Sequence, residues 1–273
     1  MRPGRRGRTR AVAAVAATLL VGGLAFAPVA GATTTQGSER RSSLLRFWLD
    51  RLGNDRGGQV GQPGGGATQP AAPPEDDGDD GDGGAAPDGD CDAVTVIAAR
   101  GTGEPAGTGF LLGQVSRQID SRVDVPVTIV GLDYPAAAEF VNSPRQGVAE
   151  LNRLVTAADD CLVLLGYSQG AIVVGDALAG FSSANGAKVR AVVMFGDPRF
   201  NSVEPYNEGS FGQPSRGLNP RRAGELAAFN DRIQNYCNGG DLVCQGSRNG
   251  GGDGHLAYGQ FAADAATFAA GKV

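Results

Sequence analysis

The chain of 273 residues holds one histidine, one tryptophan, two methionines and four cysteines. Each scarcity removes a class of chemistry. A single imidazole cannot build a histidine-rich metal centre, and four cysteines without a Cys-x-x-Cys pair give zinc no ligand spacing. No metal is expected. Residues 91–273 carry 14 Lys plus Arg against 18 Asp plus Glu, a net of 14 − 18 = −4, without a basic tract. Nucleic acid is therefore not an expected partner. No Gly-x-Gly-x-x-Gly opens a helix behind a strand, which leaves a dinucleotide no seat, and no cofactor is expected. The Asp-Gly repeats between Glu75 and Asp90 lack the chelating spacing and terminal Glu of a calcium loop.

What is abundant is glycine, 44 residues, and its placement matters most at Gly166-Tyr167-Ser168-Gln169-Gly170. Thirteen serines among so many glycines would give this pattern by chance in roughly a third of such sequences, so context decides. Before it, Leu162-Val163-Leu164-Leu165 is an apolar run suited to a parallel strand covered on both faces. After it, Ala171 to Ala179 reads as a helix ending near Gly180. Strand, tight turn and helix is the geometry that presents a serine nucleophile, with the Gln169 N–H at the helix start aimed at a developing oxyanion.

His255 lies downstream of Ser168 and is the sole unperturbed base with a pKa near neutrality that the chain can offer. Asp241 is the best third member, because it stands inside Cys237-Asn238-Gly239-Gly240-Asp241-Leu242-Val243-Cys244, where two cysteines seven positions apart can close a ring around it. Asp231 and Asp253 are the alternatives. Asp231 has no such clamp, and Asp253 is too near His255 in a Gly-rich loop. The order Ser, Asp, His is that of α/β-hydrolases.

Ala99-Arg100-Gly101-Thr102-Gly103-Glu104, Tyr134-Pro135-Ala136, the Ser168 pentapeptide, the Cys237–Cys244 segment and His255-Leu256-Ala257-Tyr258 together resemble the cutinase family of secreted serine esterases. The likeness is strongest to its actinobacterial cutinase-like branch, which often carries Phe195-Gly196-Asp197-Pro198-Arg199 after a strand. The resemblance covers about residues 91 to 273. It implies a Ser168, Asp241, His255 triad, an oxyanion hole from Thr102 and the Gln169 N–H, and no cofactor. Thr102 stands where fungal members often carry Ser, and keeps the hydroxyl. Of three possible disulfide pairings, Cys91–Cys161 with Cys237–Cys244 agrees with the family, and Cys91 and Cys161 each stand just before an expected strand.

The expected fold is an α/β-hydrolase three-layer sandwich with a mostly parallel five-stranded sheet and no lid. Strands are expected near 93–99, 125–132, 161–166, 189–195 and 226–235. Ser143 is the expected N-cap of a helix with Pro144 at its first position. Leu242, Val243, Leu256 and the stretch Glu139 to Ser143 are expected to line the mouth of an open site.

The domain reading is a signal peptide over 1–32, a Gly/Pro/Asp-rich linker over 33–90 and the catalytic domain over 91–273. Arg2, Arg5, Arg6, Arg8 and Arg10 precede an uncharged stretch from Ala11 to Ala32, the order of an export signal. Glu75 to Asp90 has eight acidic residues and no basic one, a solvated spacer. Arg40 to Leu52 is a weakly ordered piece with Leu44, Leu45, Phe47, Trp48 and Leu49 close together. The expected product is a secreted monomer acting on esters of lipids, polyesters or acetylated polysaccharide, with peripheral contact to the cell envelope left open. An acetylxylan esterase and a non-catalytic surface-binding protein are the rival readings.

Overall fold

The computed structural model describes residues 91–246 and 253–273. The expected signal peptide, the linker and the Arg40 to Leu52 piece lie outside the described residues.

Strand β1 (Val94–Ala99) leads into α1 (Phe110–Asp120), β2 (Val127–Gly131), α2 (Asn142–Ala157), β3 (Cys161–Tyr167) and α3 (Gln169–Ala179). There follow α4 (Ser183–Lys188), β4 (Val189–Phe195), β5 (Asn207–Gly209), β6 (Ile233–Cys237), α5 (Leu242–Gln245) and α6 (Ala262–Ala270). The sheet order is β2-β1-β3-β4-β6-β5, and every pairing between these strands is parallel.

A parallel sheet needs cover on both faces, and the alternation along each strand supplies two cores. Leu162 and Leu164 of β3 face a cluster with Leu151, Val155, Val173, Val174 and Leu178 from α2 and α3. Val163 and Leu165 face Leu112, Val115 and Ile119 of α1 and Ala262, Ala265, Ala266 and Ala269 of α6. The uninterrupted apolar run is thus two half-patterns interleaved, one for each layer.

Two expectations change. The sheet has six strands, not five: β5 is Asn-Glu-Gly, joined to β6 through Asn207↔Asn235, Glu208↔Tyr236 and Gly209↔Cys237, and offers no apolar side chain for periodicity to detect. The strand expected over 226–235 begins at Ile233, because Ala227–Arg232 winds into a 3-10 turn first. Among the described residues no helix is long and apolar enough to cross a membrane.

Both disulfides join the pairs favoured from the sequence, Cys91–Cys161 across the starts of β1 and β3 and Cys237–Cys244 around Asp241. Loop length separates their effects. Closing 70 residues stabilises by about 4 kcal/mol in the chain-entropy account, whereas closing seven gives about 2.5 kcal/mol. Replacing both partners of Cys91–Cys161 by Ala is expected to lower the denaturation midpoint more. Replacing Cys237 and Cys244 is expected to lower it less, and parallel urea melts of the two variants check this.

Candidate active site

The parallel strands deliver their carboxyl ends, and the loops that follow them, to one edge of the sheet. Ligands of open α/β sheets bind at that edge. Ser168 sits there between β3 and α3 at φ 55°, one of two non-glycine residues with positive φ among the described residues, the other being Ala136. Its N–H donates to Phe195 O at 2.9 Å, tying the turn to the end of β4. Two residues on, Gly170 has no room for a side chain: a Cβ would lie 1.8 Å from Ala99 O. The helix therefore docks directly on the end of β1, and the strained turn is held by backbone on both sides.

His255 Nε2 is 2.9 Å from Ser168 Oγ and its Nδ1 is 2.8 Å from Asp241 Oδ2. An ionised carboxylate only accepts, so Nδ1 carries the proton and Nε2 is the acceptor for the serine hydroxyl. All three side chains are buried, Asp241 completely. Asp241 is fixed from its other oxygen as the N-cap of α5, with Oδ1 accepting the Val243 N–H at 2.7 Å. Burial pushes the Asp241 carboxyl up. The charge of His255 when its ring is doubly protonated, the hydrogen bonds from His255 and Tyr258 and the Val243 N–H outweigh this and hold it below the usual carboxylate range. Of the alternatives, Asp231 is exposed beside Arg232 and Asp253 is exposed two residues before His255.

The imidazole itself is boxed in. Tyr167 stacks on it with ring centroids 5.3 Å apart and donates its hydroxyl to His255 O at 2.7 Å. Gly196, at φ 59°, lies beneath: a Cβ there would be 2.8 Å from His255 Cε1 and 3.1 Å from Asp241 Oδ2. This gives the Phe195-Gly196-Asp197 motif a local meaning, since only glycine leaves space for the pair above β4.

The loop carrying Thr102 is organised by two charged residues. Arg100 donates to Glu104 O, Leu132 O and Tyr134 O, and the Glu104 carboxylate accepts from Gly101 N at 2.7 Å and Phe110 N at 2.9 Å. The Thr102 hydroxyl is buried without a hydrogen-bond partner among the described residues. Such an orphan is costly unless something arrives to accept from it. The Gln169 side chain is already engaged, donating to Ala137 O and accepting from Ser143 Oγ at 2.8 Å each, and its backbone N–H stands in the first turn of α3.

Ser143 is not the N-cap of α2. The helix starts at Asn142, and its first N–H groups are capped by Glu139, whose carboxylate accepts from Val141, Asn142 and Ser143. Val243 is fully buried and does not line the mouth. Leu256 is exposed and Leu242 half-buried; Phe110, Val203 and Val141 are more exposed than Leu256, at 72%, 64% and 54%. Phe110 and the buried Tyr258 were not singled out as site residues from the sequence. Behind the site, Arg221 bonds Asp197 at 2.6 Å and Asp176 at 3.4 Å, and Arg199 bonds Asp176 at 2.6 Å. This partly buried cluster ties the end of β4 to α3.

A parallel sheet with helices on both faces and a serine at the strained turn behind β3 defines an α/β-hydrolase fold. The cutinase family model matches residues 90–273, and the chain belongs to the cutinase family. A cutinase of Hypocrea jecorina is 31% identical in an alignment 189 residues long that covers 65% of this chain and 66% of that protein. A cutinase of Kineococcus radiotolerans is 32% identical over 200 residues, 67% of this chain and 62% of the relative. The chain thus spans slightly less than two thirds of the length of these relatives. A solved acetyl xylan esterase superposes with a TM-score of 0.59 at 26% identity, covering 67% of this chain and 99% of that one.

Proposed function

We propose that this chain is a secreted serine ester hydrolase in which Ser168, His255 and Asp241 form the triad, Thr102 and the Gln169 N–H hold the oxyanion, and residues 91–273 are the catalytic domain. The observation that carries the reading is the single imidazole bridging a strained serine and a buried carboxylate. His255 Nε2 takes the Ser168 proton as Oγ attacks the ester carbonyl, and the tetrahedral oxyanion is met by the Thr102 hydroxyl and the Gln169 N–H. The C–O bond to the alcohol then breaks, and the alcohol leaves with the proton from His255. Water repeats the path, giving the free acid and restoring Ser168.

Substrates are esters of short to medium acyl chains in lipids or polyesters. The exposed Phe110, Val141 and Leu256 favour an acyl chain longer than acetyl over the carbohydrate-acetyl reading that the acetyl xylan esterase likeness keeps in play. Two disulfides support export to an oxidising compartment, and the chain acts as a monomer with at most peripheral contact to the cell envelope. The test is hydrolysis of p-nitrophenyl acetate, butyrate, octanoate and palmitate, with an alkyl phosphonate as covalent probe. The expected result is a maximum at butyrate or octanoate, ended by one phosphonate bound per chain at Ser168. Acetate-only activity selects the carbohydrate-acetyl reading, and neither turnover nor labelling selects a non-catalytic binding protein.

The partnerless Thr102 hydroxyl yields a further expectation. Thr102→Val keeps the shape and removes the donor, so kcat falls by about 10²-fold with KM nearly unchanged, whereas Thr102→Ser keeps most of the rate. Steady-state kinetics on p-nitrophenyl butyrate separate the two.

A further inference from the structure

The acyl-transfer mechanism leaves Tyr258 unused, yet its hydroxyl lies 2.5 Å from Asp241 Oδ2, the oxygen that also takes His255 Nδ1. The phenolic oxygen already accepts the Asn238 N–H at 3.1 Å, so its one proton is directed to the carboxylate. The ring is fully buried and held by Phe195, Tyr167 and Phe261 at centroid distances of 5.7, 6.2 and 6.3 Å. Burial, then the Asp241 charge, push the Tyr258 hydroxyl well above its ordinary value, so it stays a donor. The segment His255-Leu256-Ala257-Tyr258 thus supplies two donors, three residues apart, to one oxygen.

We propose that Tyr258 is a positioning residue that sets how strongly Asp241 draws on the His255 proton. The proposal rests on the serine-esterase reading. Two donors divide the charge of Oδ2 between them. Without the phenol the carboxylate turns wholly to the imidazole, the imidazolium is stabilised, and His255 stays protonated, and so unable to act as base, up to a higher pH. Among the described residues, Ser168 from the elbow and Tyr167 from β3 bond His255, Tyr258 bonds Asp241, Asn238 bonds Tyr258, and the exposed Asp253 stands two residues before His255; the Cys237–Cys244 disulfide does not titrate.

Because His255 is the single histidine of the chain, NMR of the ¹⁵N-histidine-labelled full chain, oxidised and purified without a histidine tag, reads this imidazole without assignment. In Tyr258→Phe the signals are expected to titrate about half a unit to one unit higher than in wild type, a 3- to 10-fold gain in proton affinity. The acid limb of kcat/KM for p-nitrophenyl butyrate moves with them by the same half unit to one unit, so that kcat/KM below that limb falls about 3- to 10-fold. Tyr236→Phe, which loses a hydroxyl bonded to Gln234 in the same aromatic cluster, titrates as wild type. 3-Fluorotyrosine at position 258 keeps the ring, strengthens the donor and moves the titration to lower pH, so the claim is testable even if the Phe variant fails to fold. A folded Tyr258→Phe, or a fluorotyrosine protein, that titrates as wild type would reduce Tyr258 to packing. The NMR reading needs no turnover, so a wild type without Ser168-dependent hydrolysis would end the esterase reading while still reporting on the hydrogen bond.

Discussion

On the proposed triad, Ser168→Ala is expected to lower kcat by on the order of 10⁴ to 10⁶ while KM and thermal stability stay close to wild type. The asymmetry follows from what the substitution removes. Alanine keeps the Cβ, so the backbone at φ 55° is neither relieved nor worsened, and the bond from the Ser168 N–H to Phe195 O is untouched. Only Oγ and its hydrogen bond to His255 go, about 1 kcal/mol of stability, against loss of the attacking atom itself. Adding His255→Ala to Ser168→Ala is expected to lower the rate little further, because a base with no hydroxyl to deprotonate contributes almost nothing. On the proposed reading, the residual hydrolysis expected of both variants is the part that the Thr102 and Gln169 donors supply alone. Single-turnover assays with thermal melts of the three variants check this, and a Ser168→Ala protein within tenfold of wild type would require a different nucleophile.

What could be read from the sequence, and what could not, divides along the range of the interactions. The Leu162–Leu165 run, the glycines around Ser168 and the cysteines flanking Asp241 are local patterns, each with one physical meaning, and they foretold β3, the turn into α3 and the short disulfide ring. β5 was invisible because two polar residues and a glycine carry no apolar periodicity and are held by pairing with β6. The cap of α2 was misread because Ser143 has the right chemistry in the right place, but the Glu139 carboxylate, four residues earlier, reaches three N–H groups at once and frees Ser143 to hold Gln169. Tyr258 was hidden more deeply: a tyrosine at helical spacing in an alanine-rich stretch reads as core, and it is core. Its second role depends on Asp241, 17 residues upstream and delivered by a different loop. The Asp197–Arg221 pair, 24 residues apart, is of the same kind.

Asp241→Asn is expected to cost about 10⁴ in kcat, far more than the loss of one charge from a surface pair. The reason is a count of donors. Oδ2 accepts from His255 Nδ1 and the Tyr258 hydroxyl, and Oδ1 accepts the Val243 N–H. An asparagine brings one oxygen and one NH₂. With the NH₂ at the Oδ2 position it opposes the Tyr258 proton, and it meets an unprotonated Nδ1 only if the imidazole takes the other tautomer, which turns Nε2 into a donor unable to accept from Ser168. With the NH₂ at the Oδ1 position it opposes the Val243 N–H and uncaps α5. One orientation stops the chemistry and the other weakens the cap, by about 1 kcal/mol. The pH dependence of stability gives a second readout with a definite sign. The folded Asp241 carboxyl lies below its unfolded value of about 4, so its contribution is fully present above that pH and is lost as pH falls through the lowered folded value. The amide does not titrate there. The stability gap between wild type and Asp241→Asn, read from urea melts between neutral and strongly acidic pH, should therefore be widest near neutrality and narrow on acidification; a gap that stays constant would mean that the carboxylate's charge is not what His255 and Tyr258 hold in place.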